Sequence, residues 1–241
     1  MVGTAVLSCA PQIAELAGRV GFDTVWLEVE HGGASYSQIE QLCMAVESGG
    51  AIPTVRLPNH HREHVIRALE VGACIVVVPM VNDADIAREI VRWGKFPPQG
   101  ERGFNSRSRG VGYGLQPTIE AFEQANRSTH LFAQIETMEA ASNIEAICGV
   151  DGLAGIFVGP GDLSVSMGRM AQFADPELAS AVTKVIWTAR AAGKHAGILT
   201  SPGPLLNAAI EAGADLVFCA GDINDLARTW RDTIQSLAKH K

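Results

Sequence analysis

Short runs of aliphatic and β-branched residues alternate with helix-periodic stretches from one end of this chain to the other. The strand-like runs are Gly3–Leu7, Thr24–Glu30, Ile52–Leu57, Cys74–Pro79, Leu131–Glu136, Leu153–Val158, His195–Leu199 and Asp215–Cys219. Between them, apolar positions recur every three or four residues, as in Ser37–Ser48, Arg62–Val71, Ala84–Trp93, Thr118–Asn126, Pro176–Ala192 and Leu205–Ala212. Gly21, Gly72, Gly193 and Gly213 stand just before a strand, where a helix C-cap favours glycine. Alternating β and α elements imply right-handed crossovers and a parallel sheet. Eight repeats in 241 residues predict an α/β chain folded as a single (β/α)8 TIM barrel over 1–241. An open dinucleotide-binding sheet would carry G-x-G-x-x-G at the first βα turn, where this chain has Ser8-Cys9-Ala10-Pro11. The longest connection, 96–117, is rich in Gly, Arg and Ser, and its length marks it as functional or interface-forming.

Strand side chains alternate between faces. In the second strand Val25, Leu27 and Val29 share one face, leaving Trp26, Glu28 and Glu30 to point into the barrel. By the same alternation Thr54 and Arg56 point inward from the third strand, and Phe132, Gln134 and Glu136 from the fifth. Carboxylates and a guanidinium inside a barrel cost several kcal/mol each unless they pair or bind a ligand. These residues fall near the carboxyl ends of their strands, where barrel enzymes place their chemistry. A single such residue is as readily structural as functional; several strands delivering polar groups to one rim point to function.

Composition narrows the picture. Hydrophobic residues make up 47% of the chain and aromatics only 6%, enough for a large aliphatic core. The formal charge is −7 and no basic run is present, so a nucleic-acid footprint is absent. No stretch approaches the ~18 apolar residues of a spanning helix, so no membrane partner is expected. Five cysteines, singly placed and without C-x-x-C, read as small core residues of a cytoplasmic protein.

Four segments carry the candidate chemistry: Glu28-Val29-Glu30-His31-Gly32, Val55-Arg56-Leu57-Pro58, Gln134-Ile135-Glu136-Thr137 and Val158-Gly159-Pro160-Gly161-Asp162-Leu163-Ser164. With Phe96-Pro97-Pro98-Gln99-Gly100-Glu101-Arg102-Gly103, they resemble the class II pyruvate aldolases of the HpcH/HpaI family, whose namesake is 2,4-dihydroxyhept-2-ene-1,7-dioate aldolase. The resemblance covers essentially the whole chain. It implies that Glu136 and Asp162 are the protein ligands of a divalent metal. Hard oxygen ligands suit Mg²⁺ or Mn²⁺, with Co²⁺ or Zn²⁺ as further possibilities. It also implies that backbone amides around Gly161 and Asp162 hold the substrate carboxylate, and that Gln134 lies close to the metal. Arg56 matches the arginine that contacts the 2-oxo group, and a fixed cation there would stabilise growing enolate charge. His31 matches the histidine of acid–base work, with Glu28 or Glu70 as its carboxylate partner.

The substrates implied are a small 2-oxo acid and an aldehyde, and the assembly implied is a homo-oligomer, a hexamer. Three departures stand out: Glu28 and Glu70 replace aspartates of the namesake, 102–110 does not follow the namesake's loop, and the helix that often precedes the first strand is missing or very short. A Schiff-base aldolase would need a lysine at a strand's carboxyl end. Lys95, Lys184 and Lys239 fall on helices or tails, and Lys194 starts a strand at the opposite rim. Two other readings are an acyl-CoA lyase of the citrate or malyl-CoA type, for which only Arg102, Arg107 and Arg109 offer basic surface, and a non-catalytic metal-stabilised scaffold.

Overall fold

A computed structural model describes residues 1–238 of the chain. Its strands are β1 (Val2–Val6), β2 (Thr24–Glu28), β3 (Ile52–Arg56), β4 (Ile75–Val78), β5 (His130–Ile135), β6 (Gly155–Val158), β7 (His195–Leu199) and β8 (Leu216–Gly221). Each pairs in parallel with the next, and β8 pairs with β1, closing the barrel. The helices are α1 (Pro11–Arg19), α2 (Tyr36–Ser48), α3 (Arg62–Glu70), α4 (Ala84–Gly94), α5 (Thr118–Ser128), α6 (Met138–Ser142), α7 (Ile144–Cys148), α8 (Pro160–Ser166), α9 (Pro176–Ala191), α10 (Pro204–Glu211) and α11 (Asp222–Ala238). The eight predicted strands are all present, with ends shifted by a residue or two.

Local chemistry sets the helix starts. Ser35 and Gln38 form a reciprocal capping box on α2. Asp83 accepts from Ile86 N–H on α4, and Thr137 accepts from Ala140 N–H on α6. Gly21, Gly72, Gly193 and Gly213 all take positive φ just before their strands.

The alternation predicted for the strands sorts two cores. Val25, Leu27, Val55, Leu57, Leu131, Ala133 and Ile135 belong to the large cluster between barrel and helices. Inside the barrel lie Ala5, Trp26, Ile75, Val77, Phe132, Phe157, Leu216 and Phe218. Large rings are accommodated by missing side chains opposite them. A Cβ on Gly197 would lie 2.3 Å from Phe157, and one on Gly3 would lie 2.4 Å from Phe218. Below the rings, the inward Thr24 and Thr54 hydroxyls bond at 2.7 Å. The barrel is therefore packed through its middle, and its chemistry is confined to the two ends.

Candidate active site

The register between β2 and β3 sets Glu28 directly beside Arg56. Arg56 Nε donates to Glu28 Oε2 at 2.8 Å and Nη2 lies 2.6 Å from the same oxygen, while Nη1 lies 3.0 Å from Glu30 Oε2. The guanidinium also lies over the Trp26 ring, 5.4 Å from its centroid. Glu28 is saturated: Trp26 Nε1 donates to one oxygen, and the backbone N–H groups of Glu30 and His31 donate to the other. Burial raises the Glu28 carboxyl, but Arg56, Trp26 and the His31 amide outweigh it and hold the group below the usual glutamate range. Glu28 thus fixes Arg56 and the backbone of the 28–31 turn.

The second half of the site comes from β4, β5 and the segment after β6. Met80, in the left-handed region at φ 56, aims its N–H at Glu136 Oε1, 2.6 Å away. Gln134 Nε2 donates to Glu136 Oε2, and its own carbonyl oxygen, Oε1, is buried without a donor. Burial is the largest influence on Glu136; Met80 and Gln134 oppose it, Glu30 and Asp162 reinforce it, and the carboxyl is pushed up to about 7. Glu30 is raised as well, by burial first and then, against the pull of Arg56 and His31, by Glu28 and Asp162. A Cβ on Gly159 would stand 2.9 Å from Glu136 Oε2 and 3.0 Å from Gln134 Nε2, so this position must be bare.

These groups meet at a cavity of about 630 Å³, lined among others by Glu28, His31, Arg56, Gln134, Gly161 and Asp162, with Glu136 behind Gly159. Its floor is aromatic: Trp26 packs against Phe157 and Phe218 with centroids 4.9 and 5.3 Å apart. Three acidic side chains, Glu30, Glu136 and Asp162, influence one another here with a single guanidinium between them. Among the described residues no three His, Cys, Asp or Glu side chains form a closed ligand cage. Two carboxylates, an undonated amide oxygen and mutual repulsion nevertheless fit a hard divalent cation whose remaining positions go to small ligands.

Two of the predicted partners of His31 sit differently. Glu28 binds the His31 backbone, and the carboxylate nearest the ring is that of Glu30, 3.9 Å from Nε2. Glu70 is not brought to His31 within the chain. Its carboxylate accepts from Asn105 and lies 3.6 Å from Arg102, both on the 96–117 connection. Sequence reasoning missed the far wall, made by Thr200, Ser201, Asn224, Asp225 and Arg228. Alternation along β6 and β8 could have found Phe157 and Phe218; no local pattern marks the polar residues opening α11.

Comparison with known proteins decides the family. The HpcH/HpaI aldolase/citrate lyase family model matches residues 3–225. The chain belongs to that family. A hydroxypyruvate/pyruvate aldolase of Roseobacter denitrificans is 35% identical over 223 residues, covering 90% of this chain and 84% of the relative. A 4-hydroxy-2-oxo-heptane-1,7-dioate aldolase of Salmonella paratyphi C is 36% identical over 216 residues, covering 89% and 81%. The crystal structure of an HpcH/HpaI aldolase from Desulfitobacterium hafniense superposes with a TM-score of 0.90 at 29% identity, covering 98% of this chain and 92% of that one. This HpcH/HpaI chain is an enzyme of the aldolase type, a carbon–carbon lyase.

The same geometry bears on the rival chemistries. Lys95 is buried rather than surface-bound, and it donates to the carbonyls of Asn126 and Thr129. Lys194 donates to the carbonyls of Val150 and Leu153. Neither lines the cavity. Two of the three arginines that a CoA ester would need are engaged elsewhere, Arg102 buried against the Phe96 ring and Arg109 paired with Glu47, which leaves Arg107 as the exposed one. No helix among the described residues is long and apolar enough to cross a membrane.

Proposed function

We propose that the whole chain works as one divalent-metal-dependent aldolase domain that makes and uses the enolate of pyruvate or a close 2-oxo acid. The observation that carries this reading is the pairing of a buried carboxyl pushed to about 7, Glu136, with Asp162 and Glu30 beside it and Arg56 held opposite. Glu136 and Asp162 would hold the cation, with Mg²⁺ or Mn²⁺ the best match to oxygen ligands and Co²⁺ or Zn²⁺ compatible. When bound, it supplies Lewis-acid polarisation of the 2-oxo acid.

The residues of the chain do the rest. Arg56, clamped by Glu28 and Glu30, presents its guanidinium to the 2-oxo oxygen and stabilises the negative charge that grows there. Amides around Gly161 and Asp162 and the Gln134 side chain orient the carboxylate end. His31, exposed at the mouth with Glu30 beside its ring, exchanges the methyl proton through an intervening water. The enolate carbon then attacks an aldehyde held toward Thr200, Ser201 and Asn224. In the cleavage direction His31 accepts the 4-hydroxyl proton of a 4-hydroxy-2-oxo acid. The aromatic floor of Trp26, Phe157 and Phe218 closes the site to bulk water from below.

The chain would operate in the cytoplasm, in keeping with five free thiols, and as a homo-oligomer, a hexamer by family resemblance. The test is metal-dependent exchange of the pyruvate methyl protons in D₂O, followed by NMR without any aldehyde. Exchange that stops with EDTA and returns with Mg²⁺ or Mn²⁺, with no adduct trapped by borohydride, supports the reading. Chelator-resistant exchange or a trapped adduct overturns it.

A further inference from the structure

The two halves of the active-site cavity differ in charge. Around Arg56 the acidic groups crowd together: Glu28, Glu30, Glu136 and Asp162 share its single guanidinium. A divalent cation would leave that balance negative, and the carboxylate of a 2-oxo acid would add to it. A proton on His31 would not reverse the sign. Charge repulsion reaches across a cavity partly shielded from water, so a second anion entering beside the 2-oxo acid would be opposed.

The far wall is built without such an excess. Thr200 and Ser201 come from the loop after β7, and Asn224, Asp225 and Arg228 from the start of α11. Arg228 follows Asn224 by one helical turn, so the two share a face. Arg228 is the one cation of this wall, and Asp225 neutralises it. Arg228 Nη2 donates to Asp225 Oδ1 at 2.7 Å, while the Gly221 backbone N–H donates to Asp225 Oδ2 at 3.1 Å and ties the carboxylate to the end of β8. Elsewhere on this rim the hydroxyls of Thr137, Ser164 and Ser166 bond within the chain. Those of Thr200 and Ser201, and the Asn224 amide, have no such partner among the described residues, and they line the cavity. Leu7 and Leu199 complete the wall with apolar surface.

We propose that this wall selects the acceptor, and that the chain uses short neutral aldehydes carrying hydroxyl groups rather than aldehydes carrying a second anionic group. The inference deepens the enolate reading and rests on it. A substrate hydroxyl both donates and accepts, as do the Thr200 and Ser201 hydroxyls and the Asn224 amide. An unsubstituted alkyl aldehyde would displace water from these groups without replacing its hydrogen bonds, which costs affinity. The carboxylate of a semialdehyde would meet a guanidinium already neutralised, in a cavity whose balance is negative. Asp225 thus sets the charge of the acceptor, and Thr200, Ser201 and Asn224 recognise its hydroxyls.

The test measures kcat/KM with pyruvate, Mg²⁺ and three acceptors: glycolaldehyde, its isostere propionaldehyde, and succinic semialdehyde. Differences in intrinsic aldehyde reactivity cancel when each variant's ratio between two acceptors is divided by the parent's, and so does the fraction of folded protein. Ser201→Ala and Asn224→Ala together should lower the glycolaldehyde-to-propionaldehyde ratio about 10-fold. Asp225→Asn should raise the succinic semialdehyde-to-glycolaldehyde ratio about 10-fold, and adding Arg228→Gln should cancel that gain. A parent chain that exchanges pyruvate methyl protons but favours succinic semialdehyde over glycolaldehyde, or in which either ratio fails to move, overturns the acceptor assignment alone. A parent chain that exchanges none overturns the enolate reading and this inference with it.

Discussion

Both ends of the barrel carry buried charged groups, and they treat them differently. At the amino-terminal end most buried or half-buried charges are answered by fixed partners, the exception being Arg102, which is buried with Glu70 3.6 Å away and no hydrogen-bond acceptor. Lys95 Nζ has two carbonyls and the Thr129 hydroxyl as acceptors, and Lys194 Nζ has two carbonyls. Asp215 takes Arg190, the His195 ring and the Ala196 amide, and is held below the usual range despite its burial, chiefly by His195 and that amide. At the carboxyl-terminal end Glu136 is pushed up to about 7, Glu30 is raised even with Arg56 3.0 Å from its carboxylate, and Gln134 Oε1 is buried without a hydrogen-bond donor. A network that satisfies itself holds the fold; one left acidic and under-donated is shaped for a cationic guest. Charge at a barrel end is thus no indicator of function by itself, and the state of its partners is.

Substitutions can break that contrast. Glu136→Gln should have the largest effect on chemistry, lowering metal-dependent pyruvate exchange by about 10³-fold. It should leave the melting temperature unchanged or higher, because a repelled buried carboxyl has been removed. A variant that loses stability but keeps exchange would place Glu136 with the structural end. Arg56→Lys keeps the charge but not the fork that engages Glu28 and Glu30 together, and kcat is expected to fall about 10²-fold with a smaller change in KM. Steady-state kinetics showing only a raised KM would reduce Arg56 to a binding residue. Gly159→Ala adds a methyl 2.9 Å from Glu136 Oε2 and should weaken Mn²⁺ binding about 10-fold or more, read by calorimetry. At the other end Asp215→Ala should cost about 1–3 kcal/mol in urea denaturation and leave exchange per folded molecule intact. Loss of exchange there would erase the distinction between the ends.

Much of this was legible in the amino-acid order. The two-residue alternation of β2, β3 and β5 sends Glu28, Arg56, Gln134 and Glu136 to one end, because a strand cannot turn one polar residue inward without turning its neighbour out. Residues outside that periodicity were harder to place. Glu70 ends a helix, and its partner was decided by the path of 96–117, which wraps Asn105 and Arg102 around it. Arg102 sits among Gly, Ser and Arg and looks like surface, yet it is buried on the Phe96 ring. Asn224 and Arg228 reach the cavity from the last helix, nearly two hundred residues from Glu28 and Glu30. Such contacts depend on where whole elements dock, and no local spacing encodes them.

The smallest effect sharpens the amino-terminal side of the comparison. Burial first, and the nearby Arg102 second, lower the Lys95 ammonium from its ordinary 10.5 to about 8. The folded state therefore favours the neutral amine more than the unfolded chain does. The cost of keeping it charged is present in full below pH 8 and lifts as the pH rises from about 8 to 10.5, where the unfolded chain binds more protons and stability gains with pH. Lys95→Met removes this titration. The stability of the native chain relative to Lys95→Met, from urea midpoints between about pH 7 and about pH 10, should rise by at most about 3 kcal/mol. Titrations shared by both proteins, including the raised thiols of Cys43, Cys74 and Cys148, cancel in that difference. A flat difference would mean that the three acceptors around Nζ offset its desolvation completely, making the structural end better satisfied than its depressed lysine implies.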